Sequence, residues 1–332
     1  MYNRLADVLA GKEGNYMLPF YWQHGDHYNT IPEEIERIYR SGARAFCVES
    51  RPHKDFCGEP WWKDMDLILA EAEKRGMKVW ILDDKFFPTG HAAGKIAVEH
   101  PELRKWQLIE RHVDVTGPLK DALLIADQTD ENHKLLSVYA YPRVLSREAG
   151  EYRCEIPEER CEPAPIDLSD GIDGNFLHFS VPEGCFRIFF LYKSRRGTNH
   201  PDYIDMLSSE SVRVLIDAVY ESHFSHYGKY FGNTLAGFFS DEPSFGNTWF
   251  GSSDAEFGIY DYRTGMPYLA LPWHDTLIAM MSDTLGFDVT ALLPALWFPF
   301  GRETEKIRYA YMDAVTKRYR DCFTRQLGDW CK

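Results

Sequence analysis

Residues 78–95 read KVWILDDKFFPTGHAAGK. A short apolar run, Val79 to Leu82, ends abruptly in two carboxylates, Asp83 and Asp84, and then in a turn rich in Phe, Pro and Gly. A run of four to eight apolar residues closed by turn signals reads as a strand buried on both faces, the kind found in parallel sheets. Lys78 to Leu82 is therefore expected to be a strand, and the glycine-rich segment a tight loop at its carboxyl end. Helical stretches are expected at Lys95–Val98 and from Pro101 towards Glu110.

The same logic extends outward. Upstream, Met65, Ile68, Leu69 and Ala72 share one face of a helix expected from Trp61 to Arg75, stopped by Gly76. Ala43 to Glu49 precedes it as a strand. Before that, Thr30 offers an N-cap, with Pro32 and Glu33 in the first turn of a helix through Tyr39 that stops near Gly42. Met17 to Trp22 is the first strand. Three strand–helix units in a row predict an α/β fold with a parallel sheet.

Downstream the character changes. From about Arg111, the runs DALLIAD, LLSVYAY, NFLHFSV and RIFFLYK alternate between turn-rich segments, which predicts an inserted antiparallel β-domain. Helical periodicity returns at Ser208, with Val212, Leu215, Ile216 and Val219 on one face. The chain then reaches LAGFFSDEPSFG, residues 235–246, where Leu235 to Ser240 reads as a further strand ending in Asp241 and Glu242. An aromatic and glycine-rich loop, a helix near Asp275–Thr284 and a last helix from about Glu303 to Leu327 follow, with no later strand evident. The expected architecture is thus a (β/α)8 TIM-barrel type carried only in part by this chain: residues 1–110 as the first units, 111–193 as the β-rich insertion and 194–332 as the barrel's continuation.

Composition narrows the function. The chain has 332 residues, 44% hydrophobic and 27% charged, the balance of a folded domain. Its net charge of -14 argues against nucleic acid and anionic membrane surfaces, both of which need clustered Lys and Arg. Nine Trp and nineteen Tyr suit stacking on sugar rings, although core packing accounts for most aromatic residues. Seven cysteines without a CxxC pair read as reduced thiols. MYNRLADVLAGKEGNYM has no apolar run of a leader peptide, and no stretch is long enough to span a bilayer, so a soluble, cytoplasmic protein is expected. GxSxG, GxGxxG after a strand and the P-loop are all missing from the sequence, which leaves serine hydrolysis and nucleotide binding without their usual parts.

In a parallel barrel, the residues just after each strand gather at one rim, where the chemistry of that fold is done. That rule selects Trp22, His24 and His27; Glu49 and Arg51; Asp83, Asp84 and Lys85; His91 on the following loop; and Asp241 and Glu242. Desolvating carboxylates is costly unless they are paired, so an apolar strand running straight into Asp241-Glu242 stands out. Glycosidic cleavage needs one carboxyl group to protonate the departing oxygen and another to act as base or nucleophile. Glu242 suits the first role, in a pocket where apolar walls and Asp241, Asp83 or Glu49 would favour its protonated form. Glu49 or Asp84 is the candidate for the second, unless it comes from a strand beyond residue 332. Trp22, His24, Arg51, Asp83, Lys85 and His91 are expected to line the substrate. His24 and His27, with Asp26, have the spacing of a weak transition-metal motif, whereas rim carboxylates suit calcium better. Ion pairing of Arg51 with Glu49 or Asp83, and capping of the turn by Asp83 or Asp84, would be purely structural alternatives.

Two of these strings, KVWILDDKFFPTGHAAGK and YFGNTLAGFFSDEPSFG, resemble the third-strand and later-strand segments of the glycoside hydrolase family 106 group, W-x-Y-D-E-x-x-x-P-S-G-x-A-G-G and T-D-E-P. The resemblance covers roughly residues 15–110 and 195–250. It implies a (β/α)-barrel hydrolase acting on a terminal sugar, with α-L-rhamnosidase as the founding activity, an inverting mechanism and calcium in the site. Glu242 matches the glutamate of D-E-P. Asp84 stands where the group has Glu, Thr89 replaces Ser, and His91 and Ala93 alter the loop, departures that bear on rhamnose specificity more than on fold. A relative that binds carbohydrate without a complete carboxylate pair is the competing expectation.

Overall fold

The computed structural model describes residue 6 and residues 17–26, 28–145, 159–196, 200–245 and 264–332. In chain order its strands are β1 Phe20–Gln23, β2 Ala45–Ser50, β3 Lys78–Leu82, β4 Trp106–Ile125, β5 His133–Leu145, β6 Glu159–Cys161, β7 Ile166–Asp167, β8 Ile172–Asp173, β9 Phe176–Ser194, β10 Leu235–Phe239 and β11 Leu271–Trp273. They divide between two compact units.

The first unit is drawn from Met1–Arg104, Asp202–Ile204 and Glu210–Ser244. It holds a four-stranded parallel sheet in the order β1-β2-β3-β10. Alternate residues of each strand, among them Tyr21, Phe46, Val48, Val79, Ile81 and Leu235, face helices and are buried. The helices Ile31–Arg40 and Glu59–Lys74 contribute Ile31, Ile35, Trp61, Met65, Ile68, Leu69 and Ala72 to that core. The opposite face carries Cys47, Glu49, Trp80, Leu82 and Phe239, and leaves Phe20 and Trp22 about half exposed, at 49% and 52%. Gly76 leaves the second helix at φ 64°, a left-handed stop that glycine takes without strain.

Several boundaries differ from expectation. Thr30 makes no capping bond to the main chain; its hydroxyl donates to Glu34 instead, at 2.9 Å. The helix expected over residues 101–110 is a single 3-10 turn, Pro101–Leu103, followed at once by β4. Gln107, Leu108, Ile109 and Glu110 are buried in succession, so neither period shows in the sequence, and pairing with β9 and β11 on either side decides for strand. Strand β11 was not foreseen, because three residues carry no period. A closed eight-stranded barrel is not shown: among the described residues the parallel sheet has four strands and two open edges.

The second unit comprises Lys105–Pro201, Asp205–Ser209 and Phe245–Lys332. Its sheet runs β11-β4-β9-β5-β6, with β7 on β5 and β8 on β9. The antiparallel insertion read from the alternating runs is thus present, built on long β4 and β9. One face of the sheet packs Leu108, Tyr141, Phe189 and Leu191 against Leu277, Met281, Ile307, Ala310 and Tyr311 of the helices Leu277–Leu285 and Glu303–Tyr319. Phe245 and residues 264–332, within the stretch the sequence reading assigns to a continuing barrel, pack with the β-rich region. On β4 the buried Glu110 bonds His112 at 3.0 Å and the Tyr268 amide at 2.8 Å, and the exposed Asp114 takes a two-point ion pair from Arg187. Cys47, Cys57, Cys185, Cys322 and Cys331 are free thiols, and Cys154 lies outside the described residues. No single described helix is long and apolar enough to cross a membrane.

Candidate active site

The register of the parallel sheet sets which strand-end residues lie side by side. Trp22 pairs with Glu49, Val48 with Ile81, and Leu82 with Phe239. One step further along, Ser50, Asp83 and Ser240 follow in adjacent strands, and then Arg51, Asp84 and Asp241. The main-chain bonds Arg51 N–H to Gln23 O (2.9 Å) and Asp83 N–H to Phe239 O (3.0 Å) carry the ladder into this rim. Parallel strands place like termini together, which is why four separate sequence segments meet here.

Asp83 is fully buried and surrounded by hydroxyl donors. Thr89 Oγ1 donates to its Oδ1 at 2.6 Å and Tyr220 OH to its Oδ2 at 2.6 Å, with Ser240 close enough to contribute. Burial nevertheless pushes the carboxyl up to about 7, and the neighbouring Asp84 adds to the rise. Tyr220 reaches Asp83 from a π-turn, Ile216–Glu221, which interrupts the helical run between Ser209 and Tyr227.

Asp84 is equally buried but is bound differently. Its two oxygens accept five main-chain N–H groups, from Lys85 (2.7 Å), Gly90 (2.8 Å), His91, Ala92 (3.0 Å) and Ala93 (2.9 Å). The loop can aim so many amides at one point because Gly90, Ala92, Ala93 and Gly94 all sit at positive φ, forming a nest whose anion is the protein's own side chain. Glycine is required at 90 for a second reason: a Cβ there would stand 2.6 Å from the Tyr203 ring. Burial pushes the Asp84 carboxyl above its ordinary range against the pull of these donors.

Glu49 is buried and ion-paired with Arg51, Oε1 to Nη1 at 2.5 Å. The Arg51 guanidinium lies 5.0 Å from the centre of the Trp22 ring and 5.8 Å from that of Phe87, so a cation and two aromatic faces share one corner of the rim. Burial, with the charges of Glu49, Asp83 and Asp241 adding to it, raises the Cys47 thiol to about 12.

Asp241 is half-buried and Glu242 is exposed. The enclosed setting expected for Glu242 is therefore not what the described residues provide, and the buried, proton-holding carboxyl of this rim is Asp83. Glu242 has a different peculiarity, a φ of 41°, which costs a non-glycine residue about 1–2 kcal/mol. Such strain persists only where surrounding contacts over-determine it. Here the contacts come from Thr89, whose amide donates to Asp241 O at 2.9 Å and whose hydroxyl accepts the Asp241 amide at 3.0 Å.

The remaining candidates scatter. Lys85 is half-buried, with its ammonium 5.1 Å from the Phe86 ring centre, and His24 is half-buried on its turn. The His91 ring is buried between Phe86 and Tyr203, each 4.5 Å away, so it packs the loop instead of facing a ligand. His27 lies outside the described residues, as does the loop 246–263 that follows the D-E-P turn. Among the described residues no three His, Cys, Asp or Glu stand together as a metal cage. Asp83, Asp84 and Glu49 are committed to hydroxyls, amides and a guanidinium, a donor set that does not fit calcium. Sequence reasoning missed Thr89 and Tyr220 as members of the site. Thr89 stood in the quoted loop motif, whereas Tyr220 lies in a helix whose π-turn leaves no mark on the sequence.

Solved structures with a similar fold include a rhamnosidase. The structure of a rhamnosidase from Novosphingobium sp. PP1Y superposes with a TM-score of 0.56 at 11% identity, over 92% of this chain and 44% of that one. The likeness is one of fold. This chain spans less than half the length of that rhamnosidase. No family model and no curated protein matches the sequence.

Proposed function

We propose that this rim is the catalytic centre of a glycoside hydrolase of the rhamnosidase-like, family 106 type, on a barrel to which the four parallel strands contribute, acting on a terminal sugar. The observation that carries the reading is Glu242: an exposed carboxyl on a strained backbone at the carboxyl end of a parallel strand, held there by the Thr89 clamp on Asp241. Glu242 serves as the general acid towards the departing glycosidic oxygen. Trp22, with Arg51 stacked beside it, offers an apolar ring face and a hydrogen-bond donor to a sugar. Asp83 and Asp84 shape the rim, since their lone pairs are already taken.

Glu49 is the candidate for the second carboxylate. Its strand stands two places from β10, about 10 Å at ordinary strand spacing. Carboxyl groups roughly 6.5–9.5 Å apart would go with inversion, and about 5–5.5 Å with retention. No step is routed through calcium. A screen of the full-length protein against aryl glycosides, α-L-rhamnoside included, with and without chelator, tests the reading: turnover of one of them that Glu242→Gln lowers by about 100-fold or more supports it. Turnover unchanged by Glu242→Gln contradicts it.

One observation favours a second reading. Every described rim carboxylate other than Asp241 and Glu242 is engaged, Glu49 by Arg51 included. A carbohydrate-binding relative without hydrolysis would have that pattern. Saturable sugar binding with no turnover of any glycoside would select it.

A further inference from the structure

We infer that Thr89 is a positioning residue for Glu242, oriented by Asp83; the inference rests on the reading of Glu242 as the acid. The Thr89 hydroxyl has one proton, which goes to Asp83 Oδ1 at 2.6 Å. Its oxygen is thereby turned to accept the Asp241 amide at 3.0 Å, while the Thr89 amide donates to Asp241 O at 2.9 Å. Asp241 is clamped on both sides of its backbone by one residue, and the next residue along is Glu242, at φ 41°. Rotation at the Asp241–Glu242 link is what would relax that φ, and the clamp opposes it.

With Asp83 ionised, the orientation of the hydroxyl is itself determined. Asp83 is fixed to the ladder by the hydrogen bond its main-chain N–H donates to Phe239 O, and its second carboxyl oxygen is occupied by Tyr220 OH, brought within 2.6 Å by the π-turn. Oδ1 takes the Thr89 hydroxyl. Three elements, the end of β3, the end of β10 and the Ile216–Glu221 turn, converge on a two-residue relay that ends at the glutamate. Thr89 is fully buried and touches no solvent, so its part is to direct the acid and not to meet the sugar.

Two substitutions separate this from simple packing. Thr89→Val keeps the shape and the methyl but removes the hydroxyl; Thr89→Ser keeps the hydroxyl and loses the methyl. Positioning requires kcat to fall at least 10-fold in Thr89→Val with KM within 3-fold of wild type, and to return to within 3-fold in Thr89→Ser. A packing role gives the reverse order, Val tolerated and Ser impaired, and would overturn the inference. Hydrogen exchange at the Asp241 amide supplies a readout that needs no turnover: at least 10-fold faster exchange in Thr89→Val, with Thr89→Ser close to wild type, while the amides of β2 stay unchanged. Unaltered Asp241 exchange in Thr89→Val refutes the clamp. Accelerated exchange with unaltered kcat, in a protein that Glu242→Gln inactivates, refutes its catalytic relevance. Wild-type protein that turns over no glycoside, yet shows the exchange pattern, sinks the hydrolase reading and upholds the clamp.

Discussion

Two acidic pairs end neighbouring strands of the same sheet, Asp83-Asp84 after β3 and Asp241-Glu242 after β10, and their physical states are opposite. The first pair is fully buried and saturated, one carboxyl by hydroxyls and the other by five amides. The second is partly or wholly exposed, and its only unusual term is backbone strain at Glu242. An apolar strand running into two carboxylates is the same signal in both. What separates structure from chemistry is the number of donors that the surrounding loop turns towards the oxygens. The β3 pair builds the rim, and on the proposed reading the β10 pair is left to act from it.

The contrast can be broken most forcefully at Asp84. Asp84→Ala leaves five amides pointing into a void, and stability should fall by on the order of 3 kcal/mol or more, since a buried donor left without a partner costs about 1–3 kcal/mol. Asp241→Ala, at a half-exposed side chain, should cost less than about 0.5 kcal/mol. Urea unfolding of the two variants measures the gap, and similar losses at both sites would erase the distinction between the pairs.

A titration sharpens the same difference. Asp83 holds its proton up to about pH 7 in the folded chain, against about 3.9 when unfolded. Between those values the native state binds more protons than the unfolded one, so the contribution is complete below about pH 4 and is lost as pH rises through 7. The slope has an upper limit of about 1.4 kcal/mol per pH unit for one group. Asp84 stands beside Asp83, Tyr220 faces it from the helix and Cys47 from β2, while Asp205 in the second unit, also raised to about 7 by burial, contributes with the same sign. The informative quantity is therefore the difference between wild type and Asp83→Asn, measured from pH 4 to 8. Parallel curves would mean that Asp83 titrates alike in both states.

The smallest effect is expected at Glu242. Glu242→Gly relieves the positive φ and should raise stability by about 1 kcal/mol while removing the acid. A neutral or destabilising result would show that the backbone there is not strained. Stability gained where function is lost is the usual mark of a residue retained for its chemistry.

How far the sequence revealed this arrangement depended on the range of the forces involved. The parallel strands and their helices were legible because burial of alternate or grouped apolar residues is a local pattern; β3 was located to the residue. The start of β4 was not, since Gln107 to Glu110 are buried in succession and only their pairing partners make them strand. The rim positions of Glu49, Asp83, Asp84 and Asp241 followed from strand ends alone. Their different fates did not, because they rest on Tyr220, 137 residues from Asp83, and on positive φ at Ala92 and Ala93, where the sequence offers no glycine to signal it.

The central claim is that Glu242 protonates a departing glycosidic oxygen, and leaving-group dependence tests it most directly. Wild type and Glu242→Gln are compared on a natural glycoside and on an activated aryl glycoside of the same sugar. The account predicts a loss in kcat/KM of about 100-fold or more on the natural substrate and a much smaller one on the aryl glycoside, whose leaving group needs little protonation. Equal losses on both substrates would contradict it.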